Sequence, residues 1–133
     1  MIPVTQIPNW DPDHPIAAYA KANLNEAIEE RDVAGDESRA AFRELWDRAT
    51  STGILGLTMP TEYGGSGGTV PELALAREAL GYGCADAGLC LGLSASVLAV
   101  QRPILEFGND AQMSEFLPDL ISGKNIGVIC LTE

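Results

Sequence analysis

Few residue types in this sequence could do chemistry, and their spacing limits what they could do. The single histidine, His14, stands beside Pro15 where an apolar periodicity begins, with no nucleophile or second ligand near it. It reads as a solvated surface imidazole. Cys84, Cys90 and Cys130 are odd in number, lack the two-residue pairing of zinc sites and lie among apolar residues, as reduced core thiols do. The acids Asp11 and Asp13, with Glu26, Glu29 and Glu30, read as a solvated face rather than a metal cage. The glycine-rich run from Thr58 to Gly68 could cradle a phosphate, but it lacks the Gly-Lys-Ser/Thr ending of a P-loop and follows no nucleotide-fold strand. Gly81-Tyr-Gly83 opens like a dinucleotide fingerprint, yet Asp86 stands where the third glycine belongs and a helix precedes it. The residues alone therefore nominate no catalytic side chain and no metal.

The composition is that of a packed globular chain: 133 residues, 46% hydrophobic and 20% charged, enough for one domain with a core of its own. Eight Lys and Arg against nineteen Asp and Glu leave a net charge of -11. That field repels phosphate backbones and anionic lipid, so no nucleic-acid partner is expected. Met1-Ile2-Pro3-Val4 shows neither a basic n-region nor an apolar h-region, and a cytoplasmic location is the expectation.

The elements that must position any site are helices. Asp13 is placed to cap a helix opened by Pro15, with Ile16, Ala20, Leu24, Ala27 and Ile28 along one face to about Arg31. Asp36 is placed to cap a second, carrying Phe42, Leu45, Trp46 and Ala49 until Gly53 stops it. Thr69 with Glu72 spells a capping box for a third, through Leu73, Ala76 and Leu80 to Gly81 and Gly83. Residues 87–100 carry no charge, so a helix there is expected to be buried all round, with Gly88 and Gly92 admitting a neighbouring backbone; it is too short to span a bilayer. Pro103 disrupts or restarts that helix and Gly108 ends it. Asp110 is placed to cap a last helix with Met113, Phe116, Leu117, Leu120 and Ile121, closed by Gly123. Ile126, Val128, Ile129, Cys130 and Leu131 then read as a buried strand, and a domain does not normally finish inside one, so the C-terminus reads as incomplete.

Three stretches in this order resemble the N-terminal domain of acyl-CoA dehydrogenases. They are Gly53-Ile-Leu-Gly-Leu-Thr-Met-Pro-Thr-Glu-Tyr-Gly-Gly65, Phe107-Gly-Asn-Asp-Ala-Gln112, and Leu117-Pro-Asp-Leu-Ile-Ser-Gly123 leading to Leu131-Thr-Glu133. The resemblance implies an all-α orthogonal bundle of about five to six helices over residues 1–124, with 125–133 as the first strand of a flavin-binding β-domain. It implies an FAD cofactor, with Ile129, Leu131 and Thr132 lining the isoalloxazine, although the family often carries an aromatic residue where this chain has Ile129. Leu91, Ala95, Leu98 and Ala99 would face the acyl chain.

The reaction so implied takes an acyl-CoA or acyl-carrier thioester to its trans-2-enoyl form. A carboxylate base removes the α-proton while the β-hydrogen leaves as hydride to the flavin. That base lies outside this chain in the family, so no acid here is assigned to it. The partners implied are an electron-transfer flavoprotein and further copies of the chain in a homotetramer, without nucleic acid or a membrane span. Two other readings stand beside this one: a flavin monooxygenase or nitroalkane oxidase of the same fold, and a non-catalytic helical protein that binds an acyl chain or a partner.

Overall fold

The computed structural model describes residues 14–26 and 35–130. Five helices follow one another there: α1 (Pro15–Asn23), α2 (Asp36–Thr50), α3 (Val70–Gly83), α4 (Ala87–Phe107) and α5 (Asp110–Ile121), with a single 3-10 turn at Thr61–Tyr63. The fold is all-helical, as the motifs implied.

Local chemistry explains most of the boundaries, not always through the residue the spacing favoured. The Nδ1 of His14 accepts the Ile16 N–H at 3.2 Å and so caps α1, giving this imidazole a structural part; Asp13 lies outside the described residues. α1 stops at Asn23, short of Arg31, and beyond it the side chain of Asn25 donates to the Gly83 carbonyl and accepts from the Ala85 N–H. Asp36 proves to be the first residue of α2, with Gly35 as the cap, while Gly53 at φ 77° turns the chain away after it. The box at Thr69 and Glu72 forms as expected, each side chain bonded to the other's backbone. A second box, Asn109 with Gln112, starts α5 one residue before Asp110.

The core lies where α2, α3, α4 and α5 meet. Trp46 of α2 is fully buried; its Nε1 donates to the Gly123 carbonyl at 3.0 Å, and Arg43 Nη2 donates to the same oxygen at 2.9 Å. Gly123 accepts this position because it stands at φ 79° and because a Cβ would strike the Thr50 side chain. Leu24, Leu45, Ile54, Leu80, Leu93 and Leu117 close around the indole's neighbourhood. The close backbone approach expected at Gly88 and Gly92 occurs instead at Gly83, where a Cβ would collide with the Ala17 carbonyl as α1 crosses α3.

Residues 126–130 form no helix and no ladder among the described residues. A strand exists only when a neighbour pairs with its N–H and C=O groups, and none is present here, so the β-branched run stays open, with Val128 79% exposed. Cys130 is exposed for the same reason, against the expectation of a core thiol; Cys84 is buried and Cys90 half-buried.

Replacing Trp46 by Phe keeps most of the apolar volume but removes the donor to Gly123. It should destabilise the chain by about 1–2 kcal/mol, and Trp46→Ala by about 3–5 kcal/mol, both read from urea midpoints. At the α3 cap, the hydrogen bond from the Thr69 backbone N–H, then that from its hydroxyl, holds the Glu72 carboxyl below the usual glutamate range. A carboxyl depressed in the folded state stabilises above its unfolded pKa and loses that contribution as pH falls through the folded value. The stability gap between wild type and Glu72→Gln should therefore narrow when pH drops below the ordinary glutamate range.

Candidate functional site

The candidate site is built on α4. Asp86 caps its start, its carboxylate accepting the Leu89 N–H at 2.8 Å. From there Leu89, Leu93, Val97 and Gln101 point into the core and are essentially fully buried. Arg77 of α3 braces the middle by donating from Nη2 to the Leu93 carbonyl at 3.0 Å. Burial lowers this guanidinium to about 10. A hydrogen bond with Cys84, and then burial, pushes the Cys90 thiol well up, so it stays protonated at neutral pH.

The opposite face of the helix is uncovered. Leu91 is 71% exposed, Leu98 63%, and Ala95 between them is exposed too; Ala99 is half-buried. Absence of charge over 87–100 had implied burial on every side. The structure instead buries one stripe and leaves the other to face outward, because the described residues supply elements to only one side of α4. Leu91, Ala95 and Leu98 thus share a face, as α-helical spacing requires. Single exposed leucines are unremarkable, but two with an alanine between them on one uncharged helix face make a contiguous patch.

Ile129, which the resemblance places beside a flavin, lies 48% exposed on the segment 126–130, apart from the α4 stripe in sequence. Leu131 and Thr132 fall outside the described residues. Further along α4 the sequence reading missed an apolar groove of about 730 Å³, lined by Val100, Pro103, Ile104, Phe107, Phe116 and Ile126. Its signal was present in the helical spacing of Val100, Pro103, Ile104 and Phe107. α4 spans 21 residues and is apolar enough to cross a membrane by length and composition, a test that core helices also pass.

Most of the described cations are engaged with neighbouring side chains. Arg43 pairs with Asp47, Arg48 with Glu26, Arg102 with Glu106 and Lys124 with Asp119, and the Lys21 ammonium lies over the Tyr82 ring. Among the described residues no cluster of His, Cys, Asp or Glu could hold a metal ion. What remains is an apolar wall with a segment, 126–130, that joins no ladder among the described residues beside the end of α5.

Comparison with known proteins agrees with this architecture. Residues 14–124 match the family model "Acyl-CoA dehydrogenase, N-terminal domain". The chain is 38% identical over 98 residues to an L-prolyl-[peptidyl-carrier protein] dehydrogenase of Pseudomonas fluorescens, a match covering 74% of this chain and 26% of that protein. It is 37% identical over 118 residues to the short-chain specific acyl-CoA dehydrogenase of Megasphaera elsdenii, covering 86% of this chain and 29% of that one. Among solved structures, the prolyl acyl carrier protein oxidase AnaB superposes with a TM-score of 0.72 at 29% identity, over 84% of this chain and 28% of that chain. PigA with FAD and proline superposes with a TM-score of 0.71 at 28% identity and the same coverage. The chain belongs to the acyl-CoA dehydrogenase family, as its N-terminal helical domain. It spans little more than a quarter of the length of these relatives.

The two faces of α4 should respond differently to substitution. Leu93→Ala opens a cavity in the core and should cost about 2–5 kcal/mol, whereas Leu98→Asp on the outer face should change the chain's unfolding free energy by no more than about 0.5 kcal/mol. Equal losses in chemical denaturation would mean that Leu98 is packed.

Proposed function

We propose that this chain forms one wall of the acyl tunnel and flavin pocket of an FAD-dependent dehydrogenase that oxidises an acyl thioester to its trans-2-enoyl thioester. The observation that carries the reading is the outward apolar stripe of Leu91, Ala95 and Leu98, on a helix whose other side is locked into the core. An uncharged surface of this kind suits a hydrocarbon chain, and covering each leucine would contribute about 1.5–3 kcal/mol. Ala95 and Ala99 keep the wall thin, so that an alkyl group has room against the helix.

The fit to FAD rests on segment 126–130 and the residues after it. Ile129 offers an apolar surface, and the backbone of 126–130, which joins no ladder among the described residues, offers N–H donors; Leu131 and Thr132 complete the set by the family motif. FAD, when bound, supplies the acceptor for the β-hydrogen as hydride. The part played by this chain is to exclude water from one side of the reacting carbons, to align the acyl chain along α4, and to present donors toward the flavin edge. The α-proton is removed by a carboxylate outside this chain, so none of its own acids is assigned that step. With every cation named above engaged locally and a net charge of -11, the phosphates of CoA or FAD would be held by other parts of the assembly. Further copies of the chain and an electron-transfer flavoprotein as acceptor belong to the same reading.

Two relatives whose names specify prolyl carrier-protein substrates favour a second form of the substrate, in which the thioester is carried by a protein rather than by CoA. The same wall serves both.

The test is the flavin spectrum of the protein expressed from its complete reading frame, followed anaerobically with acyl-CoAs of graded length and with aminoacyl and acyl carrier-protein thioesters. Bleaching by an acyl-CoA is the expected result, and bleaching by carrier-bound thioesters alone would select the second form. Bound flavin that no thioester reduces would overturn the dehydrogenase in favour of a same-fold monooxygenase or nitroalkane oxidase, and a protein without flavin would leave the binding role.

A further inference from the structure

Helix α4 changes register once, and the residues responsible lie beyond the wall itself. The Ser96 N–H bonds back to the Gly92 carbonyl, in α register. The Arg102 N–H instead donates to the Val97 carbonyl, one residue further back than an α-helix would have it, and Ser96–Gln101 forms a π-helical turn. At Gly108 the N–H returns to α register with the Ile104 carbonyl. Such a turn inserts one extra residue, so everything after it lags by about one position, or roughly 100°.

That lag decides how the apolar face continues. In unbroken α register, the face of Leu91, Ala95 and Leu98 would run on to Arg102 and Glu106. These two pair with each other, Nη2 to Oε2 at 3.4 Å. With the extra residue, Pro103 and Phe107 take their places, and both line the apolar groove. The π-turn keeps a cation and a carboxylate off the wall.

Two residues account for the turn. Pro103 has no N–H, and in α register its ring would press on the Ala99 carbonyl; the wider turn relieves that contact. Gln101 is fully buried, and its Nε2 donates to the Leu120 carbonyl of α5 at 3.2 Å. Its Oε1 is buried without a hydrogen-bond partner, a cost that persists because the tie across to α5 holds the turn in place.

We propose that Gln101 and Pro103 are positioning residues for acyl selectivity: they maintain a one-residue slip that carries Pro103 and Phe107 onto the face continuing from Leu98 and holds Arg102 and Glu106 away from the thioester chain. The inference rests on the reading of the α4 stripe as an acyl wall. Its test compares wild type, Pro103→Ala and Gln101→Met as complete flavoproteins, with crystal structures of each and kinetics on a short and a long straight-chain acyl-CoA. Pro103→Ala is expected to restore α register and to lower kcat/KM for the long chain by about tenfold relative to the short one. The loss should fall mainly on KM, with flavin content unchanged. Adding Arg102→Leu should recover part of it, because the intruding cation is then gone. Gln101→Met should loosen the turn and shift the same ratio in the same direction. A π-turn that survives in both single variants overturns the assignment of these residues. An unchanged chain-length ratio in a variant that has lost the turn overturns the role in selectivity. A wild type that no acyl thioester reduces fails before any substitution is made, which marks the wall reading, and the selectivity role with it, as the part that is wrong.

Discussion

The indole of Trp46 is the contact on which the rest of the described structure depends. It is buried against Phe42, with ring centroids 6.1 Å apart, and it bonds the carbonyl of Gly123 at the end of α5. It also lies beneath Gly92 of α4, where its Cζ3 would meet an added Cβ at 3.5 Å. One side chain on α2 thereby sets the distance to α4 and the point at which the chain leaves α5. The position of segment 126–130, and of anything built upon it, follows from that anchor.

The second organising constraint is the two-sidedness of α4. A helix without charge gains most when it is covered on every face, yet the described residues cover only the side of Leu89, Leu93 and Val97. The uncovered side is therefore an apolar surface held rigid from behind, by Asp86 at the helix start, by Arg77 at the Leu93 carbonyl and by the tie from Gln101 to α5. Rigidity matters for a wall, since a surface that must order itself around its ligand loses affinity to that ordering.

The parts of this fold legible in the sequence were those determined within a few residues. The box of Thr69 and Glu72, the stop at Gly123 and the apolar periodicity of α2 depend on neighbours in the chain, and each formed where expected. Features that depend on distant partners were not legible. The run after Asn125 has the composition of a strand but no strand to pair with among the described residues. Cys130 looked like a core thiol only because the residues around it are apolar. Whether α4 was buried all round turned on how many elements surround it, which composition does not encode. The cap of α5 was misplaced by a single residue because Asn109 and Asp110 are both good caps, and only the reciprocal bond with Gln112 separates them. Of the candidate site, Leu91, Ala95 and Leu98 entered through the family resemblance and share an outward face in the structure, while the π-turn that includes Leu98 has no sequence signature apart from Pro103.

The glycine-rich loop before α3 is held almost wholly by its backbone. The Ser66 N–H bonds to the Gly56 carbonyl, that of Gly67 to Met59 and that of Gly68 to Leu57, while Thr61 and Glu62 stand exposed to solvent. Main-chain bonds are indifferent to side-chain identity. Replacing Thr61 or Glu62 would therefore change the surface the loop shows to a neighbour while leaving these main-chain bonds in place. Its glycines are fixed by the path of the chain and Met59 and Tyr63 by their packing against the core, so only the outward side chains of the loop escape both constraints.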